Sequence, residues 1–168
     1  MPKENEILGL GNHQKVRRIL LGMLGSKALK RYDGAIRIAV RRWYRLGMSH
    51  LGVARKLSGS GRQWRSQVSR CYYAAYNASR SVRWLVHGSV SLEPDDHKRV
   101  GDLPSDFPDR EIWNSFFTQL RMDRNRADYE PWSNSIRDLE ISPSQSLQQT
   151  VSFIKSVRRY LISKGITV

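Results

Sequence analysis

The sequence predicts an all-α fold, a bundle of four main helices with an extra helix at its N-terminus. Three observations carry this. Apolar residues recur at helical spacing over several long stretches. Clusters of glycine, serine and proline separate those stretches. Nothing alternates with period two over a useful length, so strands are not expected. A length of 168 residues suits one domain with its own core. A hydrophobic share of 39% with five tryptophans argues against global disorder. The chain divides into a basic N-terminal extension, 1–32, helical in part, and a helical bundle, 33–168.

Taken in order, residues 1–12 are polar and contain glycine, which reads as a loose tail. A first helix fits 13–31, with Val16, Ile19, Leu20 and Met23 on one face. Gly22 and Gly25 each weaken it by about 1 kcal/mol. Asp33 can cap the next helix, 34–57. There Ile36, Ala39, Val40, Trp43, Leu46, Gly47, His50, Ala54 and Leu57 share a side. Arg37, Arg41 and Arg45 repeat at i,i+4 on the adjacent strip. Like charges at that spacing cost helix stability, which a phosphate or plain solvation relieves.

Ser58-Gly59-Ser60-Gly61 then breaks the chain. The helix over 62–87 has the cleanest stripe: Trp64, Val68, Cys71, Tyr72, Ala75, Ser79, Val82 and Val86. Arg70, Tyr73, Asn77 and Arg80 lie on its other side. They form either a solvated back face or, with Arg and Tyr interleaved, a surface that stacks on or clamps RNA. Residues 88–109 read as a long loop with a short helical turn around His97. The third bundle helix spans 109–129 and stops there because Pro131 disfavours helix at Glu130. After a second loop, Ser142-Pro143-Ser144-Gln145 is a capping box with proline at the first helical position. The last helix, 143–163, packs through Leu147, Val151, Ile154 and Leu161, and Gly165 can end it.

The charge is one-sided. Residues 1–90 carry 18 Lys+Arg against 3 Asp+Glu and residues 91–168 carry 11 against 12, which together make the net charge of +14. Such an excess points to an anionic partner, or more plainly to a basic solvated surface. One cysteine, Cys71, rules out an internal disulfide and a Cys-rich zinc site. It sits on the packed stripe as a small core residue. The four histidines are scattered without ligand spacing, so neither a metal nor a cofactor is expected. No signal-peptide pattern opens the chain, and the longest apolar run is too short to span a bilayer. A soluble, cytoplasmic protein that does not enter a membrane is the expectation.

The stretch Leu120-Arg121-Met122-Asp123-Arg124-Asn125-Arg126-Ala127-Asp128-Tyr129-Glu130 concentrates the candidate chemistry. At about 100° per residue, Arg121, Arg124, Asn125 and Asp128 fall within an arc of roughly 80°. Trp113, Phe116, Leu120 and Ala127 form an apolar stripe beside them. The polar cluster should therefore sit at the rim of the core, where charges interact more strongly than in water. Two arginines, an amide and a carboxylate there can hold a phosphate and orient a hydroxyl. The plainer reading is an Arg124–Asp128 salt bridge on a solvated face.

Two segments together resemble one family. Ser69-Arg70-Cys71-Tyr72-Tyr73-Ala74-Ala75-Tyr76-Asn77-Ala78-Ser79-Arg80 resembles the second-helix signature of HEPN domains (higher eukaryote and prokaryote nucleotide-binding). Arg124-Asn125-Arg126-Ala127-Asp128-Tyr129 is similar to the third-helix Arg-Asn motif of that family, and His97-Lys98-Arg99-Val100 to the His-containing turn between them. The resemblance covers roughly 33–163 and leaves 1–30 outside. It implies an up-and-down four-helix bundle that often forms a homodimer through the motif helices. Many members are metal-independent endoribonucleases of toxin–antitoxin or anti-phage systems. Others bind nucleotides or partner with small nucleotidyltransferases without catalysis.

The family's ribonuclease motif is Arg, four to six residues, then His. Carried onto this chain, Arg124 takes the arginine position and Asn125 the following polar one. The histidine would fall on Tyr129, Glu130 or Pro131, so it is absent. Cleaving RNA through its 2′-OH needs a group that exchanges protons near neutrality, as His does. Tyrosine (reference pKa about 10) and aspartate (about 3.9) lie on either side of that range. The candidate catalytic set is therefore Arg124, Asn125, Asp128 and Tyr129. Arg121, Arg70, Tyr73, Asn77, Arg80, His97, Arg37, Arg41 and Arg45 are the candidate RNA or nucleotide contacts. His97 can enter from its loop. The expectation is a HEPN-family protein engaging RNA or nucleotides in a prokaryotic toxin–antitoxin or anti-phage system. The alternative is a non-catalytic dimeric module serving a nucleotidyltransferase or an antitoxin protein.

Overall fold

Four helices build the molecule in the computed structural model, which describes residues 13–59, 61–87, 94–132 and 135–168. They are α1 (His13–Leu57), α2 (Trp64–His87), α3 (Arg110–Tyr129) and α4 (Pro143–Ser163). Short 3-10 turns cover Gly61–Gln63, Pro94–Arg99 and Ile136–Asp138. No strand occurs among the described residues. The tail expected at 1–12 and part of the loop expected at 88–109 lie outside them.

The N-terminal region departs from the expected break near 31–33. α1 is continuous through Asp33, and its only non-helical residue is Gly25, with φ 74° and ψ −178°. Positive φ carries no Cβ penalty for glycine, so the interruption falls there. Asp33 does not act as a cap. It pairs with Arg17 at 3.0 Å across the Gly25 break. Tyr32 and Ile36 are both buried on the packed face, which holds the helix through the site where local signals would end it. The segment before Gly25 is pinned to the bundle by His13, whose Nδ1 meets the Tyr32 hydroxyl and whose Nε2 lies 2.7 Å from the Trp84 carbonyl oxygen. The packed face of α1 also differs in detail. Tyr44 and Leu51 are in the core, while Leu46 is 42% exposed at its edge.

α2 is the central element, packed against α1, α3 and α4. Every residue from Ala74 to Trp84 is buried. A solvated back face, one of the two alternatives for this side, is thus absent around Asn77 and Arg80; Trp43 of α1 and Asp96 of the Pro94–Arg99 turn pack against Arg80. Gly47 makes the α1–α2 approach possible. A Cβ there would stand 2.8 Å from the Ala74 carbonyl oxygen and 3.2 Å from the Ala78 nitrogen. Contacts fix the directions of the helices. His50 meets Arg70 and Trp43 meets Arg80, so α1 and α2 are antiparallel. Arg65 reaches the Ala127 carbonyl and Tyr73 meets Arg124, so α2 and α3 are antiparallel. Trp113 and Phe117 pack on Phe153 while Asp123 caps the backbone at Ile141, so α3 and α4 are antiparallel too.

α3 and α4 start and stop where local chemistry dictates. Glu130 turns extended before Pro131 (φ −101°, ψ 97°). Ser142 and Gln145 form both bonds of the capping box. Gly165, at φ 74°, ends α4, with the Ile166 N–H returning 2.9 Å to the Leu161 carbonyl. The buried face of α4 is centred on Phe153, Val157 and Tyr160, and Leu147 and Val151 pack at its margin. The stretch after residue 94 is more than a loop. Val100, Leu103 and Phe107 enter the core, with Phe107 against Phe153 and Tyr160.

Candidate functional site

A groove of about 980 Å³ opens between α2, α3 and the Pro94–Arg99 turn, with α1 at its rim. α2 supplies Tyr72, Tyr73, Tyr76, Asn77 and Arg80, which share a face because they are three or four residues apart. α3 supplies Arg121, Met122, Arg124, Asn125 and Tyr129 by the same periodicity. His97 and Lys98 close the third side, and Leu46 and His50 of α1 complete the lining. Four basic side chains, Arg80, Lys98, Arg121 and Arg124, face this space, and among the described residues no carboxylate lines it.

Arg124 is the centre of the groove wall. Its Nη2 donates to the Tyr73 hydroxyl and its Nη1 donates to Asn125 Oδ1 at 3.1 Å. Its Nε lies 2.9 Å from Asp128 Oδ2 as a charge pair, without the alignment of a hydrogen bond. The guanidinium also lies 4.7 Å from the Tyr129 ring centroid and 5.3 Å from that of Tyr73. Burial opposes its charge, but the Tyr73 hydroxyl, Asp128 and Tyr129 outweigh that and hold the cation. One N–H on each terminal nitrogen remains beyond these contacts, which suits a two-point grip on a phosphate. Arg121, one turn earlier, lines the groove with no ion-pair or hydrogen-bond partner among the described residues.

His97 arrives from outside the motif helices. Its Nδ1 lies 2.8 Å from the Tyr72 hydroxyl, and its ring stacks on Tyr76 at 4.5 Å. Burial first, then the nearby Arg124, lower its pKa below the ordinary 6.5, so the ring is neutral at pH 7. A neutral imidazole can accept a proton there. Asp96 anchors this turn. Fully buried, it accepts from Arg83 at 2.6 Å and from the Tyr76 hydroxyl at 2.8 Å, and lies 3.6 Å from Arg80. Burial pushes the Tyr72 and Tyr76 hydroxyls well above the ordinary tyrosine value, so both stay protonated; in the tautomer in which His97 Nδ1–H donates to the Tyr72 oxygen, the Nε2 lone pair is the one that accepts a proton.

Of the residues chosen from sequence, the groove brings together Arg121, Arg124, Asn125, Tyr129, Tyr73, Asn77, Arg80 and His97. Asp128 stands behind Arg124, accepting from Ser69 Oγ at 3.2 Å. Arg70 is exposed at the rim and meets His50 Nδ1 at 3.2 Å. Arg37, Arg41 and Arg45 lie elsewhere. Arg37 donates to the Gly165 carbonyl and Arg41 to that of Thr167 at 2.8 Å, so the like-charged strip is relieved by the C-terminal backbone. Arg45 is exposed on α1 and does not line the groove. Sequence reasoning missed Tyr72, Tyr76, His50 and Lys98 as lining residues and Asp96 as their anchor. The Tyr72–Tyr73–Tyr76 spacing was a usable signal for the α2 wall, but no local pattern pairs Asp96 with Arg83.

No family model, curated protein or solved structure matches the chain significantly. Among the described residues, no three His, Cys, Asp or Glu side chains are grouped to hold a metal ion, and no helix is long and apolar enough to cross a membrane. Cys71 is buried, and burial pushes its thiol up to about 12, which leaves it inert as a core residue.

Proposed function

We propose that this protein is a HEPN-like module that engages RNA through the α2–α3 groove, in a prokaryotic toxin–antitoxin or anti-phage setting. One observation carries the reading: among the described residues, four basic side chains and no carboxylate line a groove walled by aromatic rings. Cations grip phosphates, and ring faces stack on bases. The net charge of +14 adds long-range attraction for the same partner. The resemblance of the Ser69–Arg80 and Arg124–Tyr129 segments to HEPN signatures supports the setting. The test is retention of a mixed RNA pool at low salt by the wild type, Arg121→Ala and Arg124→Ala. Binding should weaken steeply as salt rises, and each substitution should lower affinity and flatten the salt slope by about 0.7 per lost phosphate contact. Failure to retain RNA at micromolar protein would overturn the reading.

A second reading, metal-independent cleavage, is favoured by the neutral His97 beside Arg124. In it His97 takes the 2′-OH proton as that oxygen attacks the adjacent phosphorus. The bond to the 5′-oxygen breaks, and that oxygen leaves with a proton from solvent. A 2′,3′-cyclic phosphate results, with Arg124 stabilising the added negative charge. Cleavage in EDTA that vanishes in His97→Gln while RNA binding persists would support it. Intact RNA with concentrated wild-type protein would sink it.

A further inference from the structure

The groove does not end at Arg121. Lys98 and Arg121 also line a second hollow of about 190 Å³, and Gly101, Asp102 and Asn114 connect that hollow to a third of about 380 Å³ that reaches Arg110. The three form a series along one side of α3. The helix has a matching stripe. At about 100° per residue, Arg110, Asn114, Thr118, Arg121 and Asn125 fall within roughly 80°, and at about 1.5 Å rise they cover roughly 22 Å. The opposite wall is the segment after His97. It lies so close to α3 that a Cβ at Gly101 would stand 2.8 Å from Asn114 Oδ1. Among the described residues that line this path Asp102 is the one carboxylate, and Arg99 holds it at 2.9 Å.

We infer that the groove is one end of a longer track, and that a stacked RNA strand lies along α3 from Asn125 to Arg110. This deepens the RNA reading and rests on it. A mononucleotide needs only the Arg124 end. A stripe of donors and cations at helical period, walled on its far side, matches a ligand with repeating phosphates instead. At the roughly 3.4 Å per nucleotide of a stacked strand, the track holds about six nucleotides.

Fluorescence anisotropy with labelled oligouridylates of two, four, six and twelve nucleotides tests this on the whole chain. Affinity should rise about 30-fold or more from two to six nucleotides, well beyond the gain from extra registers, then level off, with the salt slope steepening by about 0.7 per added contact. Thr118→Glu places a carboxylate mid-track at an exposed helical position whose hydroxyl bonds the Asn114 carbonyl of its own helix. It should erase the gain with length, and Arg110→Ala should reduce it, whereas Arg124→Ala should weaken every length. Circular dichroism confirms that each variant is folded. Equal affinity for the dinucleotide and the twelve-mer, or a full length gain retained in Thr118→Glu, would overturn the track and leave the groove reading standing. Binding of none of the lengths would remove both.

Discussion

Asp96 shows how one side chain can decide whether a site exists. It is fully buried, and its two oxygens serve Arg83, Arg80 and Tyr76. Arg83 is itself only 1% exposed, so its charge has been taken out of water. Removing one partner of such a pair leaves the other uncompensated. Asp96→Ala is therefore expected to cost about 3–5 kcal/mol in urea unfolding. It should also weaken RNA binding in whatever fraction stays folded, because the turn that carries His97 loses its anchor. A cost below about 1 kcal/mol would mean that water reaches Arg83. This residue also marks the limit of sequence reading at the site. Arg121, Arg124 and Asn125 were legible because one helix places them by its own period. Asp96 pairs with residues 13 and 16 positions away on another element, so no local pattern announces it. The burial of Arg80 was hidden for a related reason. Its position on α2 suggested either solvent or an RNA contact, and it is buried with its guanidinium 4.0 Å from the Trp43 ring.

At the scale of elements, what was legible depended on whether local or tertiary forces set the boundary. α4 begins at a capping box and ends at a glycine, and both signals lie within a few residues of the ends they set. Ser142→Ala should accordingly cost about 1 kcal/mol, read as a lower thermal midpoint. α1 was not legible in the same way, since buried Tyr32 and Ile36 carry it through the Asp33-Gly34 pair that otherwise suits a helix start. Two glycines of α1 make a paired test of packing against propensity. Gly52 has nothing within 4 Å of a would-be Cβ, so Gly52→Ala should stabilise by about 0.5–1 kcal/mol. Gly47 faces α2 backbone at 2.8 Å, and backbone cannot step aside as a side chain tip can. Overpacking there outweighs the same propensity gain, so Gly47→Ala should destabilise by about 1–3 kcal/mol. Equal effects at the two positions would show that the α1–α2 approach is looser than this.

Over the whole molecule, the four histidines act in one direction. His13, His50, His87 and His97 all have pKa values lowered from 6.5, and burial is the largest cause at each. Neighbouring arginines add to it: Arg17 at His13, Arg70 at His50, Arg83 and Arg99 at His87, and Arg124 at His97. A basic chain thus penalises further positive charge inside its own fold. The sign follows from proton counting. As pH falls through about 6.5, the unfolded chain binds protons that the folded chain still refuses, so stability declines with acidification. The stability is present in full above 6.5 and is lost as pH falls through the lowered folded values. Asp123 opposes this. Burial raises its pKa, so its contribution is present at low pH and lost as pH rises through the folded value. Four groups against one should set the net direction near pH 6. The thermal midpoint is therefore expected to be lower at pH 5.5 than at pH 7.5, by about 2–4 °C for each kcal/mol lost. His13→Asn should reduce that difference, because it removes a buried ring that must stay neutral to accept from Tyr32 while bonding the Trp84 carbonyl. A midpoint equal or higher at pH 5.5 would mean that these rings open to solvent more readily than their packing implies, and the neutral His97 on which proton transfer in the groove depends would fall with it.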